Sequence, residues 1–355
     1  MFGRRTAQFM ALVAAFLVLG TCLNLLLLCL STDLEPSSFV TLSALRGVQR
    51  PSPGRASRDK NARKVGEVNR ELIREILLGQ DPLDARPVMR PDHTYQFTHF
   101  DSKLFSFLLE KVSSSVSVSF LLEVGSFKGG SAIQAAQELK RTGLGGVSLV
   151  CVDPGTGGVN DWLRNVEGDR PSHLLTGGLG RPRVFETFLA NILDKKQGDQ
   201  ILPLQMTGLV GMKLLKKLFE ARRLSSLPQM VYLDAAHEKG ETRLELEAAW
   251  EVLSPCGFLW GDDFDWEAVR SDVSDFVREV KPVPAGDGDA ARLRSLLGGG
   301  EASAEEILPG LVVVGSRVPP TGWSAGSAWY LQKPCGAVPH DERAPALAEQ
   351  IAQPS

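Results

Sequence analysis

Leu121-Leu122-Glu123-Val124-Gly125-Ser126-Phe127-Lys128-Gly129-Gly130-Ser131 is the stretch that decides the fold. An apolar run, Val118 to Val124, stops at Gly125, and Gly129-Gly130-Ser131 opens a stretch with helical spacing that reaches Leu139. A buried strand joined by glycines to a helix lets backbone approach a ligand closely, and the first N–H groups of the helix are free to meet it. The Gly-Lys-Ser/Thr ending of a P-loop is missing, and the spacing is not G-x-G-x-x-G. Such a turn alone serves structure as readily as binding. A second apolar run, Val147 to Val152, ends in Asp153. An acid at this strand tip is placed to accept hydrogen bonds from ribose hydroxyls, or else is a turn or cap residue. Glu123, the glycines and Asp153 together favour a nucleoside-bearing ligand that is not a dinucleotide.

Outward from this stretch, Ile201–Gln205, Met230–Leu233, Phe258–Trp260, Leu311–Val314 and Ala328–Leu331 read as short apolar strands. Val68–Leu78, Phe105–Val112, Val184–Leu193, Lys213–Ala221, Glu241–Leu253 and Val269–Val280 have helical spacing. This alternation predicts an α/β fold, a doubly wound and mostly parallel sheet with helices on both faces. Two segments break the rhythm. Pro154 to about Asp199 is a long Gly-rich insertion around the Val184–Leu193 helix, and Pro284 to about Glu305 is Gly/Ala-rich and predicted to be a mobile loop.

A second constellation follows two of the later strands: Asp234-Ala235-Ala236-His237-Glu238 and Gly261-Asp262-Asp263-Phe264. In open α/β sheets the carboxyl ends of the strands build the site. Three carboxylates converging there repel one another unless neutralised. A hard divalent cation such as Mg²⁺ does this with oxygen ligands. The plainer readings are a solvated turn or cap for Asp262-Asp263 and a satisfied structural imidazole for His237.

With these motifs in place, the chain resembles the class I S-adenosylmethionine-dependent methyltransferases. Within them it is similar to the O-methyltransferases that act on catechols and to the metal-dependent enzymes that methylate macrolide sugars. The resemblance runs from about Gln96 to Lys333. Glu123 to Ser131 matches E-V-G-S-x-K-G-x-S, Phe188-Leu189-Ala190-Asn191 resembles F-L-x-N, and Ala328 to Lys333 resembles the last strand. Asp234 to His237 matches D-x-x-H, and Asp262-Asp263 the paired acids after the fifth strand. Pro255-Cys256-Gly257 stands where the family has P-G-G. The resemblance implies a Rossmann-like fold. It implies S-adenosylmethionine held by Glu123, Gly125, Ser126, Gly129, Ser131 and Asp153, with a side chain at Gly125 colliding with the methionine part. It further implies Mg²⁺ or another divalent cation on Asp234, Asp262 and Asp263, with His237 as base.

The amino terminus is of another kind. Phe9 to Leu30 holds no charged residue. As a helix it would span about 33 Å, enough for the bilayer's hydrocarbon core. It is long for a cleaved signal, and Leu28-Cys29-Leu30 is a poor cleavage site. Arg4 and Arg5 before it, with Asp33 and Glu35 after it, predict a cytoplasmic tail over residues 1–8, a signal anchor over 9–30 and a lumenal remainder. Arg46, Arg50, Arg55 and Arg58 further downstream pull the other way. Residues 31–66 read as a flexible stem, 67–335 as the globular domain and 336–355 as a disordered tail. This is the layout of a single-pass type II membrane protein of the Golgi or endoplasmic reticulum. Cys151 lies in an apolar strand, whereas Cys256 and Cys335 could pair in an oxidising lumen, a pairing that spacing leaves open.

Composition sets the outer bounds. With 39 basic against 42 acidic side chains the net charge is −3, which argues against a nucleic-acid partner. At 43% hydrophobic residues the chain has ample core, which excludes wholesale disorder. The expectation is therefore a membrane-anchored methyltransferase acting on a hydroxyl of a glycan or small molecule. Two alternatives are weighed against it. Asp263-Phe264-Asp265 is a D-x-D, as in Golgi glycosyltransferases, but the Glu123-Val124-Gly125 loop and Asp153 have no use there. A catalytically inactive binding protein of the same fold would not need three carboxylates and His237.

Overall fold

The computed structural model describes residues 99–159, 181–297, 303–318 and 322–336, and upstream of these Arg70, Glu71, Ile73, Arg74, Leu78, 81–84 and 89–94. The predicted anchor, the stem and all of the predicted tail except Gly336 lie outside the described residues. Among the described residues no helix is long and apolar enough to cross a membrane.

Seven helices and ten strands follow one another within the described residues: α1 Ser102–Ser115, β1 Phe120–Val124, α2 Gly130–Arg141, β2 Ser148–Val152, α3 Val184–Asp194, β3 Ile201–Leu204, α4 Gly208–Glu220, β4 Met230–Leu233, α5 Glu241–Val252, β5 Phe258–Gly261, α6 Glu267–Val280, α7 Asp289–Leu297, β6 Ser303–Leu308, β7 Leu311–Gly315, β8 Arg317–Val318, β9 Gly322–Trp323 and β10 Ala328–Gln332. The main sheet has the order β3-β2-β1-β4-β5-β10-β7-β6, and β8 pairs with β9 separately. β1 to β5 are parallel, whereas β10, β7 and β6 join antiparallel to their neighbours. The α/β expectation holds, and the predicted parallel character belongs to the first five strands.

Period-2 alternation of apolar side chains makes the two layers. Leu121, Leu149, Tyr232 and Trp260 point into one core with α1, α2 and α3. Leu122, Val150, Val231 and Leu259 point into the other with α4, α5 and α6. Every residue of β1, β2 and β4 is buried, which is why these runs read as unbroken apolar stretches. α1 begins where Asp101 accepts hydrogen bonds from the Lys103 and Leu104 N–H groups at 2.8 and 3.0 Å.

The predicted loop over Pro284–Glu305 is the main correction. It contains α7 and the first half of β6. Leu293 on α7 is fully buried, and the helix is tied to α1 by the Lys111–Asp289 and Arg292–Glu110 ion pairs. β6 is the sheet's edge, and its exposed Glu305 and Glu306 are what such a strand uses to discourage further pairing. The same charges, with Gly and Ala around them, hid both elements in the sequence.

The open cysteine question is settled: Cys256 and Cys335 are disulfide-bonded across a separation of 79 residues. The bridge ties the turn before β5 to the chain just after β10. Cys256 has φ +64°, a left-handed conformation that suits the glycine the related sequences carry there. That conformation costs a non-glycine residue about 1–2 kcal/mol, whereas closing so long a loop contributes ~4–5 kcal/mol. Cys256→Gly is therefore expected to destabilise the domain by ~3 kcal/mol in denaturant unfolding, although it relieves the backbone. A variant as stable as the native chain would show that the crosslink contributes nothing.

Candidate active site

Both constellations lie at the carboxyl ends of the parallel strands. β1 has β2 on one side and β4 on the other, so the strand order reverses there, the place where open α/β sheets bind ligands.

The glycine loop leaves β1 at Gly125, whose φ is +89° and whose N–H donates to the Val152 carbonyl at 2.9 Å. A Cβ on Gly125 would sit 1.9 Å from the Asp234 carbonyl oxygen. The chain's own backbone after β4 therefore demands a glycine here, apart from any collision with a ligand. Glu123 is buried beneath the loop, and its carboxylate accepts from Ser126 Oγ at 2.8 Å and Cys151 Sγ at 3.1 Å. Burial pushes its carboxyl up, while hydrogen bonds from Ser131 and Ser126 oppose the shift. The predicted ligands Glu123, Ser126 and Ser131 are thus brought together, but as a brace that shapes the loop from within. Asp153 does likewise from the tip of β2, accepting from the Phe127 N–H at 2.8 Å and the Gly155 N–H at 2.6 Å.

Gly129 caps α2 with φ +84°, and a Cβ there would press on Phe188 and Ile192 of α3 at 3.1–3.2 Å. Around it lies a network that sequence reading missed. The Lys128 side chain is fully buried, and its Nζ donates to Asp92 Oδ2 at 2.6 Å and to the Thr94 carbonyl at 2.5 Å. Asn191 donates from Nδ2 to the Lys128 and Asp92 carbonyls at 2.9 Å each and accepts the Asp92 N–H at 2.7 Å. Burial works against the Asp92 carboxylate, but hydrogen bonds from Lys128 and Thr94 prevail and hold its pKa at about 2. These residues clamp the 89–94 segment onto the glycine loop. The signal was present in part, as the lysine of E-V-G-S-x-K-G-x-S, but its partner lies 36 residues upstream.

The second constellation is built by β4 and β5. The Asp234 N–H donates to the Val124 carbonyl at 3.0 Å, which fixes this residue against β1. Asp262 is buried, and its Oδ2 has no hydrogen-bond partner among the described residues, nor has the neighbouring Tyr232 hydroxyl. Asp263 takes a left-handed φ of +54° and is half-buried. Its Oδ2 hydrogen-bonds His237 Nε2 at 2.7 Å, and its Oδ1 lies 3.7 Å from His99 Nδ1. Ligating atoms of Asp234, His237 and Asp263 all fall within 4.8 Å of one another, and so do those of His99, Asp262 and Asp263. Asp263 is common to both groups, one with Asp234 and one with Asp262, and His99 is an imidazole that no motif announced.

Electrostatics follow from this crowding. Burial raises the Asp234 carboxyl well above the usual range, and Asp262 and Asp263 add to the effect. Burial, then Asp263, pushes Asp262 up to about 7. Burial opposes the charged form of His237, but the bond to Asp263 prevails and its pKa is raised. Glu245 on α5, also unanticipated, accepts the Ala236 N–H at 3.3 Å and is pushed to about 7 by burial. Such a cluster is suited to a cation: acids that resist ionising together, one with an orphaned buried oxygen.

Comparison with known proteins bears on the same region. Residues 122–264 match a family described as a methyltransferase domain, which takes in the glycine loop, Asp153, Asp234, His237, Asp262 and Asp263. No curated protein matches the chain. Among solved structures, the O-methyltransferase NovP is 13% identical over 78% of this chain and 99% of its own, with a TM-score of 0.38. The calicheamicin methyltransferase CalS11 is 14% identical over 81% and 99%, with a TM-score of 0.36. An O-methyltransferase from Bacillus cereus, solved in complex with S-adenosylhomocysteine, is 16% identical over 77% and 100%, with a TM-score of 0.32. Of the two enzyme alternatives, the family match falls on the methyltransferase. Residues 122–264 thus match a methyltransferase domain, and the motifs within them resemble those of the class I S-adenosylmethionine-dependent methyltransferases of the small-molecule and sugar O-methyltransferase kind.

Proposed function

We propose that this chain methylates a hydroxyl oxygen, with S-adenosylmethionine as methyl donor and a divalent cation such as Mg²⁺ at the acceptor. The observation that carries the reading is the clustering of Asp234 and of Asp262 about Asp263, with the orphaned Asp262 Oδ2, beside His237. These three acids would hold the cation. When bound, it supplies a Lewis acid that lowers the pKa of an acceptor hydroxyl. Asp153 at the tip of β2 would hold the donor's ribose, and the loop braced by Glu123, Ser126 and Ser131 would carry its methionine part.

His237 is the base. Its Nε2 is bound to Asp263, so with the N–H donated there, Nδ1 is the nitrogen that receives the acceptor's proton. Asp263 then stabilises the resulting imidazolium, as the acid of a catalytic triad does. The Trp266 ring lies 5.1 Å from the His237 ring and is partly exposed, an aromatic face suited to a sugar. A glycan is our first acceptor, for that reason and because the Cys256–Cys335 bridge suits an oxidising lumen.

The test is transfer of labelled methyl to glycans and phenols by the full chain. Chelation is expected to stop turnover, and added Mg²⁺ or Mn²⁺ to restore it. Full activity in excess chelator would refute the cation. Placement in the lumen behind a Phe9–Leu30 anchor predicts that protease leaves the domain intact in sealed microsomes, and digestion without detergent would reverse the orientation.

A further inference from the structure

His99 lies upstream of the matched family region, in the short segment before α1, and yet reaches the carboxylates. Its position is built rather than incidental. The next residue, Phe100, is buried against Tyr232 and Trp260, with ring centroids 5.9 and 5.4 Å apart. Those two aromatics stand two positions before Asp234 and Asp262 on β4 and β5. The anchor of His99 is thus made by the same strands that present the acids. On its other side the imidazole lies against Gly326, where φ is +73° and a Cβ would come within 2.6 Å of His99 Cγ.

The two imidazoles take different oxygens of Asp263. His237 Nε2 makes a direct hydrogen bond to Oδ2 at 2.7 Å. His99 Nδ1 stands 3.7 Å from Oδ1, too far for a hydrogen bond. Two ligands each about 2.1 Å from one ion at tetrahedral angles are about 3.4 Å apart, close to that spacing. Beside them Asp262 Oδ2 is buried and unpartnered among the described residues. An oxygen without a donor, a carboxylate shared between two histidines and a half-exposed imidazole held at ligand spacing call for an ion with affinity for nitrogen as well as oxygen.

We propose that His99 is a nitrogen ligand of the cation held by Asp262 and Asp263, and that it biases the site toward a borderline transition-metal ion such as Co²⁺ or Zn²⁺ over Mg²⁺. Imidazole favours such ions, whereas Mg²⁺ prefers oxygen and water. The inference rests on the cation reading above and adds the choice of ion.

The test is titration of the full chain with Co²⁺ and with Mg²⁺, followed by calorimetry and by the ligand-field absorption of Co²⁺. The native chain is expected to bind Co²⁺ at least ~10-fold more tightly than Mg²⁺. His99→Ala, at a half-exposed position, is expected to keep its melting temperature, to lose ~10-fold or more in Co²⁺ affinity with a changed absorption spectrum, and to bind Mg²⁺ within about twofold of native. His237→Ala is expected to retain the native Co²⁺ spectrum. If His99→Ala keeps native Co²⁺ affinity and spectrum, or if the loss appears in His237→Ala instead, His99 is not the ligand although the cation site stands. If the native chain binds neither ion, the cation reading itself fails and this inference with it.

Discussion

Replacing His237 with alanine is expected to lower kcat by ~10²–10⁴-fold, the usual worth of a general base. A hydroxyl is a poor nucleophile until its proton leaves, and His237 is the imidazole that the Asp263 carboxylate orients at 2.7 Å. The competing view is that His237 merely anchors the loop between β4 and α5. Loss of one half-buried hydrogen bond to a charged group would cost about 1–2 kcal/mol of stability and leave turnover per folded molecule near native. Melting temperature and kcat measured on one preparation separate the two. A variant of slightly reduced stability with a severely reduced kcat supports the base, and a stable variant with native kcat excludes it.

Gly125→Val is expected to prevent folding rather than only to block a ligand. The first carbon of any side chain would lie 1.9 Å from the Asp234 carbonyl, a backbone atom fixed by the pairing of β1 with β4. The left-handed φ of +89° adds about 1–2 kcal/mol of its own. Together these place the change among the rare substitutions that cost more than ~4 kcal/mol. Circular dichroism and a thermal melt decide the matter. A cooperatively folded Gly125→Val domain that fails only to bind S-adenosylhomocysteine would restore the ligand as the reason for this glycine.

What the sequence made legible follows from where the chemistry is local. β4 was read with the bounds the structure gives, Met230–Leu233, because four buried apolar residues lie between Gln229 and Asp234. The glycine loop and the acids after β4 and β5 were legible because each sits directly behind an apolar strand. The antiparallel addition of β10, β7 and β6 was not, because no local pattern records which neighbour a strand takes. α7 was read as loop because Leu293 is its one buried side chain. His99, Asp92 and Glu245 reach the site only through tertiary packing, so no spacing could point to them. The brace formed by Glu123, Ser126 and Ser131 escaped for a related reason: a motif gives residue types, and only the fold shows that these three face one another.

We propose that the strand ends around β1 hold S-adenosylmethionine. The most direct test is calorimetric titration of S-adenosylhomocysteine into the native chain and into Asp153→Ala. One saturable site per chain is expected in the native protein. Affinity in the alanine variant is expected to fall by ~10–100-fold, since a hydrogen bond to a charged group is worth ~1.5–3 kcal/mol. No binding heat from folded native protein, or the same affinity in both, would rule out this site.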